Sequence, residues 1–137
     1  VPKPGTGVST GILIITHPGI GSAMLSSARH ILPDCPLRIR CLDVPNDAAP
    51  EHLQREAADL LDRLDQGEGV LILTDIFGAT PNNIARRLAE PGRVNVLAGL
   101  SLPMLVRLFN YPDEDLNGLC KAAIHGVMRG IGQCNGA

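Results

Sequence analysis

The sequence predicts an open α/β domain: a single, mainly parallel sheet with helices on both faces. Three observations carry that expectation. Apolar, β-prone runs alternate along the chain with segments of helical period, the pattern of a parallel sheet covered by helices. One run, Val70-Leu71-Ile72-Leu73, is uniformly apolar, as a central strand buried on both faces is. Two runs, ending at Thr16 and Thr74, pass directly into small-residue segments that open helices. Ligands of open α/β sheets collect at such strand ends.

The first strand covers about residues 11–16, Gly11 to Thr16. From Gly21 to Leu32, Met24, Leu25, Ala28, Ile31 and Leu32 recur at helical spacing until Pro33 stops them. Leu37-Arg38-Ile39-Arg40-Cys41 alternates apolar and charged side chains, which predicts a strand with one wetter face, hence an edge. Over about 48–65, Leu53, Ala57, Leu60, Leu61 and Leu64 form one stripe of a helix, and Gly67 marks its end. The third strand is 70–74. Thr80 then reads as an N-cap with Pro81 at the first helical position, opening a helix to about Ala89. Val94 to Ala98 is the fourth strand, followed by the loop Gly99-Leu100-Ser101 and a short helix from Pro103 to Phe109. Beyond the Asn110-Tyr111-Pro112 break, Leu116, Leu119, Cys120, Ala123, Ile124, Val127 and Met128 predict a long helix, capped by Asp113 and acidic in its first turn.

A chain of 137 residues is long enough for one core and no more than one domain. Residues 1–9 are expected to be a flexible leader and 132–137 a frayed tail, leaving 10–131 as the domain. A net charge of −2 gives no electrostatic footprint for nucleic acid, and 2% aromatic residues leave few stacking platforms for bases. No stretch approaches the ~20 apolar residues of a membrane span, and the first residues lack a signal-peptide layout, so the expectation is a cytoplasmic protein not embedded in a membrane. The four cysteines include no Cys-x-x-Cys pair, which argues against zinc or a disulfide framework and for buried thiols acting as small hydrophobes. No metal site and no cofactor motif is found; both Gly-x-x-x-x-Gly-Lys-Ser/Thr and Gly-x-Gly-x-x-Gly are missing.

With the flavodoxin-like strand order 2-1-3-4, with room for an extra antiparallel edge strand, the switch point falls between strands 1 and 3. Those strands end in His17 and Asp75. Right-handed crossovers place the helices that follow them on opposite faces, with their N-termini opening on one crevice. Helix N-termini favour anions, phosphate above all. A histidine accepts a phosphoryl group on one ring nitrogen when the other keeps its proton, and a carboxylate that takes that proton's hydrogen bond selects the tautomer. His17 and Asp75 are therefore the candidate catalytic pair. The Thr80 hydroxyl and the amides of Gly78, Ala79 and Gly19 are candidate phosphate donors. Each also has a structural reading: Asp75 as a turn residue, Thr80 as a simple cap, His17 as a surface histidine. His30, His52 and His125 lie in or near helices without a polar constellation and are set aside.

Ile14-Ile15-Thr16-His17-Pro18-Gly19, Leu73-Thr74-Asp75-Ile76-Phe77-Gly78-Ala79-Thr80-Pro81-Asn82-Asn83 and Ala98 to Leu105 together resemble the enzyme IIA component of the mannose/fructose/sorbose family of the bacterial phosphotransferase system. The likeness spans about residues 11–130. It implies that His17 takes a phosphoryl group from the phosphocarrier protein HPr and passes it to an enzyme IIB, with Asp75 as hydrogen-bond partner and Thr80 as a phosphate-contacting hydroxyl. It also implies a homodimer. The chain departs from the family at Pro18, at Ile76-Phe77 in place of a Thr-Trp pair, and at Thr80 in place of serine, which leaves sugar class and partner open. Two other readings stand beside it: the phosphoryl-donor subunit of phosphoenolpyruvate-dependent dihydroxyacetone kinase, and a non-enzymatic anion-binding or regulatory domain.

Overall fold

The computed structural model describes residues 9–135; most of the expected leader and the end of the expected tail lie outside them. Two strands form the middle of the sheet, β1 (Gly11–Thr16) and β3 (Val70–Thr74), and every residue of both is buried. Side chains alternate across the pleat. Ile12, Ile14, Leu71 and Leu73 join one core, Leu13, Ile15, Val70 and Ile72 the other. β2 (Ile39–Asp43) and β4 (Val94–Ala98) are the edges, in the predicted order β2-β1-β3-β4, and all three pairings are parallel. The extra edge strand for which room was left is not among the described residues. The one antiparallel feature there is an isolated Glu90–Val94 bridge.

One face is covered by α1 (Ile20–Ile31), α4 (Leu102–Phe109) and α5 (Leu116–Arg129), through Leu25, Ala28, Met104, Leu105, Leu108 and Leu119. α2 (Pro50–Leu64) and α3 (Thr80–Arg86) cover the other, through Leu53, Ala57, Leu61, Leu64, Ile84 and Ala85. The helices after β1 and β3 thus lie on opposite faces, as right-handed crossovers require.

Several boundaries move from their expected places. β2 begins and ends two residues late, because its pairing with β1 runs from Ile12↔Ile39 to Thr16↔Asp43, and side-chain alternation cannot show where a neighbouring strand stops. The N-cap of α3 is Ala79, not Thr80, and the helix ends at Arg86, where Leu88 N–H and Ala89 N–H turn to the carbonyls of Ala85 and Arg86 three residues back. α5 is capped by Asp115, whose carboxylate accepts the Gly118 N–H at 2.8 Å, and its first turn holds no acid; Asp113 sits in the preceding turn. The thiols are less buried than expected. Cys35, Cys41 and Cys120 are half-buried and Cys134 is exposed; burial still pushes the Cys41 thiol up to about 11, an unreactive value at neutral pH.

At the end of the sheet away from the Thr16 and Thr74 termini, Asp65 closes the turn after α2. Its Oδ1 accepts the N–H groups of Gly67 and Gly69 at 2.9 and 3.1 Å, and its Oδ2 accepts from Arg93 Nε at 2.7 Å. Burial works against the charged form, but these hydrogen bonds outweigh it and hold the carboxyl below the usual carboxylate range. A folded-state value below the unfolded one adds stability that is complete above the unfolded value and fades as pH falls through the folded one. Asp65→Asn should therefore lower the melting temperature at pH 7 by roughly 3–6 °C, the effect of about 1 kcal/mol in a domain of this size. The gap to the parent should close below about pH 4, and thermal melts between pH 7 and pH 3 check it; a gap independent of pH would contradict the ionic origin.

Candidate functional site

β1 and β3 are neighbours with Ile15 level with Thr74, so Asp75, the first residue after β3, emerges one register step from His17, the first residue after β1, and within bonding distance of it. Both loops turn sharply before their helices. Gly78 turns one with a φ of 85°, a left-handed conformation open to glycine and strained for other residues. Gly21 serves by its small size, because a Cβ there would stand 2.7 Å from Ile14 Cγ2 and 3.1 Å from Thr16 Oγ1. α1 can then settle directly on the end of β1.

The Asp75 carboxylate is the hub. Oδ2 accepts both the His17 backbone N–H, at 3.0 Å, and the ring Nδ1–H, at 2.7 Å, while Oδ1 accepts the Ile76 N–H at 3.0 Å. The Asp75 side chain is 10% exposed and the His17 side chain 38%. Burial opposes the charge on Asp75, but the backbone and ring hydrogen bonds from His17 prevail and hold its carboxyl below the ordinary range. An ionised carboxylate can only accept, so Nδ1 carries a proton, and in the neutral ring the lone pair is then on Nε2. Nε2 has no hydrogen-bond partner among the described residues.

His17 and Thr80 line one cleft of about 180 Å³, with Val44, Pro45, Asn46 and Leu53 among its walls. The Thr80 hydroxyl and the backbone N–H groups of Ala79 and Thr80 have no acceptor among the described residues. The other two expected donors are differently placed. Gly78 N–H donates to Asn82 Oδ1 at 3.0 Å, and Gly19 N–H donates to Asp43 Oδ2 at 3.1 Å. The remaining histidines stand apart: His52 lies 3.9 Å from Glu56, and His125 Nδ1 accepts from Arg107.

Sequence reasoning missed three contributors. Asn82, 2% exposed, donates to Thr74 Oγ1 at 2.9 Å as well as accepting from Gly78, and so ties the loop back to β3. Its signal was an amide four residues after a glycine turn, read only as part of a motif. Asp43 and Asn46 escaped because β2 was expected to end at Cys41. At their true positions they are the strand end and the cleft wall.

A sheet in this order with a histidine–carboxylate pair at its switch point defines the class of α/β domains that present a histidine at the end of the first strand. The family described as the PTS system fructose IIA component, of mannose type, matches residues 11–124, and the chain belongs to it. Relatives include the mannose-specific EIIAB component of the phosphotransferase system of Escherichia coli strain K12, 31% identical over 110 residues. That match covers 79% of this chain and 33% of the relative, so the chain spans about a third of the relative's length. A putative phosphotransferase enzyme IIA component of the same strain, YadI, is 34% identical over 73 residues, covering 53% of this chain and 50% of that protein. Among solved structures, the mannose/sorbose-specific IIA subunit from Enterococcus faecalis superposes with a TM-score of 0.82 at 19% identity, covering 95% of this chain and 98% of that one. The IIA protein associated with the fucose utilization operon of Streptococcus pneumoniae gives 0.77 at 25% identity, covering 91% and 93%.

The tight seat of α1 has a measurable consequence. Gly21→Ala should destabilise the fold by about 1–3 kcal/mol, the usual cost of overpacking a rigid site, because the Ile14 side chain it meets is itself fully buried. Chemical denaturation decides it; a variant as stable as the parent would mean that α1 shifts freely over the strand end.

Proposed function

We propose that this chain is a phosphohistidine carrier, which accepts a phosphoryl group from HPr on His17 and passes it to an enzyme IIB in sugar uptake or its regulation. The observation that carries the reading is the pairing of a partly exposed imidazole with a nearly buried, ionised carboxylate at the mouth of a cleft. Nε2 attacks phosphorus as the donor's N–P bond breaks, and the donor imidazole leaves with the bonding pair. Positive charge then develops on the His17 ring, where Asp75 offsets it. Onward transfer is the same step in reverse, to the acceptor of the next protein. The Thr80 hydroxyl and the Ala79 amide supply hydrogen bonds to the phosphoryl oxygens; the Gly78 and Gly19 amides join them only by leaving Asn82 and Asp43.

The size of the cleft supports a phosphoryl group delivered by another protein. Pockets for drug-sized ligands run to roughly 300–1,000 Å³, and this one is smaller. Ile76, 57% exposed, and Phe77, 75% exposed, follow Asp75 directly and offer apolar surface to a docking protein. No helix among the described residues is long and apolar enough to cross a membrane; the cytoplasm is the compartment that the proposed exchange with HPr implies.

Incubation with phosphoenolpyruvate, enzyme I and HPr should label His17 alone, with an acid-labile, alkali-stable bond, and His17→Ala should stay unlabelled. Phosphate on another residue overturns the assignment. In single-turnover transfer from phospho-HPr, Asp75→Asn should lose orders of magnitude while keeping its fold, the behaviour of a His–Asp pair that loses its charge. Thr80→Val should lose less, about the 1.5–3 kcal/mol of one hydrogen bond to a charged group. Discharge of the phosphoprotein to a dihydroxyacetone kinase core, and to no IIB, would favour the kinase-subunit reading.

The carrier is also proposed to be a homodimer. Support comes from the family likeness and from apolar surface on and after α5, where Ile124 is 49%, Met128 69% and Ile131 80% exposed. Light scattering at micromolar concentration should give twice the chain mass. A monomer mass unchanged by concentration would refute it.

A further inference from the structure

We propose that Asp43 is a positioning residue for His17: its carboxylate fastens the turn after His17 to β2, and with Asp75 on β3 it sets where the imidazole stands. The inference rests on the carrier reading for its kinetic consequence only. The segment from Thr16 to Ser22 leaves the sheet between two carboxylates. On the β3 side Asp75 holds the His17 backbone N–H and the ring. On the β2 side Asp43 Oδ2 accepts the Gly19 N–H at 3.1 Å, and its Oδ1 accepts the Ser22 hydroxyl at 3.4 Å.

Asp43 stands level with Thr16 in the sheet, and Val44 N–H extends the ladder to the Thr16 carbonyl at 2.9 Å, so the carboxylate is carried on paired backbone. Between the two pinned amides lies a single residue, Pro18, whose ring fixes its φ and leaves little slack. A displacement of Gly19 therefore passes to His17 instead of being absorbed by the loop. Asp43 also has no ion pair with a lysine or arginine among the described residues, so its charge is not accounted for by a surface salt bridge. As a mere cap it would steady α1 and leave the chemistry of His17 untouched. The Asp43–Gly19 bond, one stiff residue from the reacting ring, makes the opposite demand.

The test compares Asp43→Ala with Asp43→Asn, which keeps an oxygen to accept the Gly19 N–H. Hydrogen exchange should speed at Gly19 by about tenfold or more in the alanine variant, with Leu13 and Ile72 unchanged, since local opening frees an amide without unfolding the core. The asparagine variant should exchange like the parent. Transfer from phospho-HPr should slow about tenfold or more in Asp43→Ala, in the transfer step and not in the dependence on HPr concentration, because small misplacements of a reacting group cost rates of this order. Asp43→Asn should restore most of it. If the alanine variant does not fold, Asp43→Glu, which moves the carboxylate off Gly19 while keeping its charge, is expected to show the same changes.

Unchanged exchange at Gly19 overturns the proposal, as does a parental transfer rate with Gly19 freed. Failure of the parent to be phosphorylated at His17 would instead refute the carrier reading. In that case nitrogen-15 shifts of the His17 ring decide the inference: a change in Asp43→Ala that Asp43→Asn reverses supports it, and no change refutes it.

Discussion

The contact between Asp75 and His17 holds together three things that would otherwise be separate: the register of two strands, the conformation of two loops and the protonation of one ring. Its 2.7 Å ring bond exists only because β1 and β3 are adjacent and end within one residue of one another. That adjacency comes from topology. The chain winds outward to β2, returns past β1 and places β3 on its other side, so the two central strands meet where winding reverses. The carboxylate is largely buried, which raises the cost of its charge, and three N–H donors aimed at it offset that cost.

Around the pair, the two strand ends are built alike. Each closes on a fully buried threonine, and each threonine hydroxyl ties down the loop that follows. Thr16 Oγ accepts from Gly21 N–H and donates to the His17 carbonyl, while Thr74 Oγ accepts from Asn82. Buried hydroxyls without partners would cost the fold; here they carry the loops. The geometry of the pair is thus underwritten by the ends of the fully buried core strands and not by the loops alone.

A sheet centre at 70–74 and an edge around 37–41 were legible because uniform apolarity and alternation report burial directly, while the order 2-1-3-4 rested on the flavodoxin-like rule. Pairing leaves no such trace. The two-residue displacement of β2 hid Asp43, which lies outside the Leu37–Cys41 alternation and becomes a strand residue only because β1 continues to Thr16. Capping was half legible. Thr80-Pro81 announced a helix start within one residue, but the choice between Ala79 and Thr80 as cap depends on the Gly78 turn and the Asn82 side chain, which bond to each other in space. Asp113 and Asp115 are equally good caps by type, and only Asp115 stands three residues before an N–H it can reach. His17 and Asp75 were found because each follows an apolar run, so the site was readable where it coincides with strand ends and opaque where it depends on side chains crossing between loops.

The division of exposure within the pair bears on what kind of reaction it suits. Under the proposed carrier reading, the nucleophile has to meet a phosphoryl group carried by another protein and so cannot be enclosed; the His17 ring is more than a third exposed. Its orienting carboxylate has the reverse requirement. Water competing for its oxygens would weaken the preference for the Nδ1–H tautomer and the stabilisation of positive charge on the ring, since electrostatic interactions strengthen as solvent is excluded. Asp75 meets that requirement with a side chain only 10% exposed, bonded to the ring at Nδ1 and carried directly after the end of β3. An open imidazole on a dry carboxylate would serve poorly to hold a small free substrate, which needs walls, and well to pass a group between proteins, whose own surfaces complete the enclosure. Ile76 and Phe77, apolar and exposed, follow the carboxylate directly in the chain and offer a docking protein surface beside the pair.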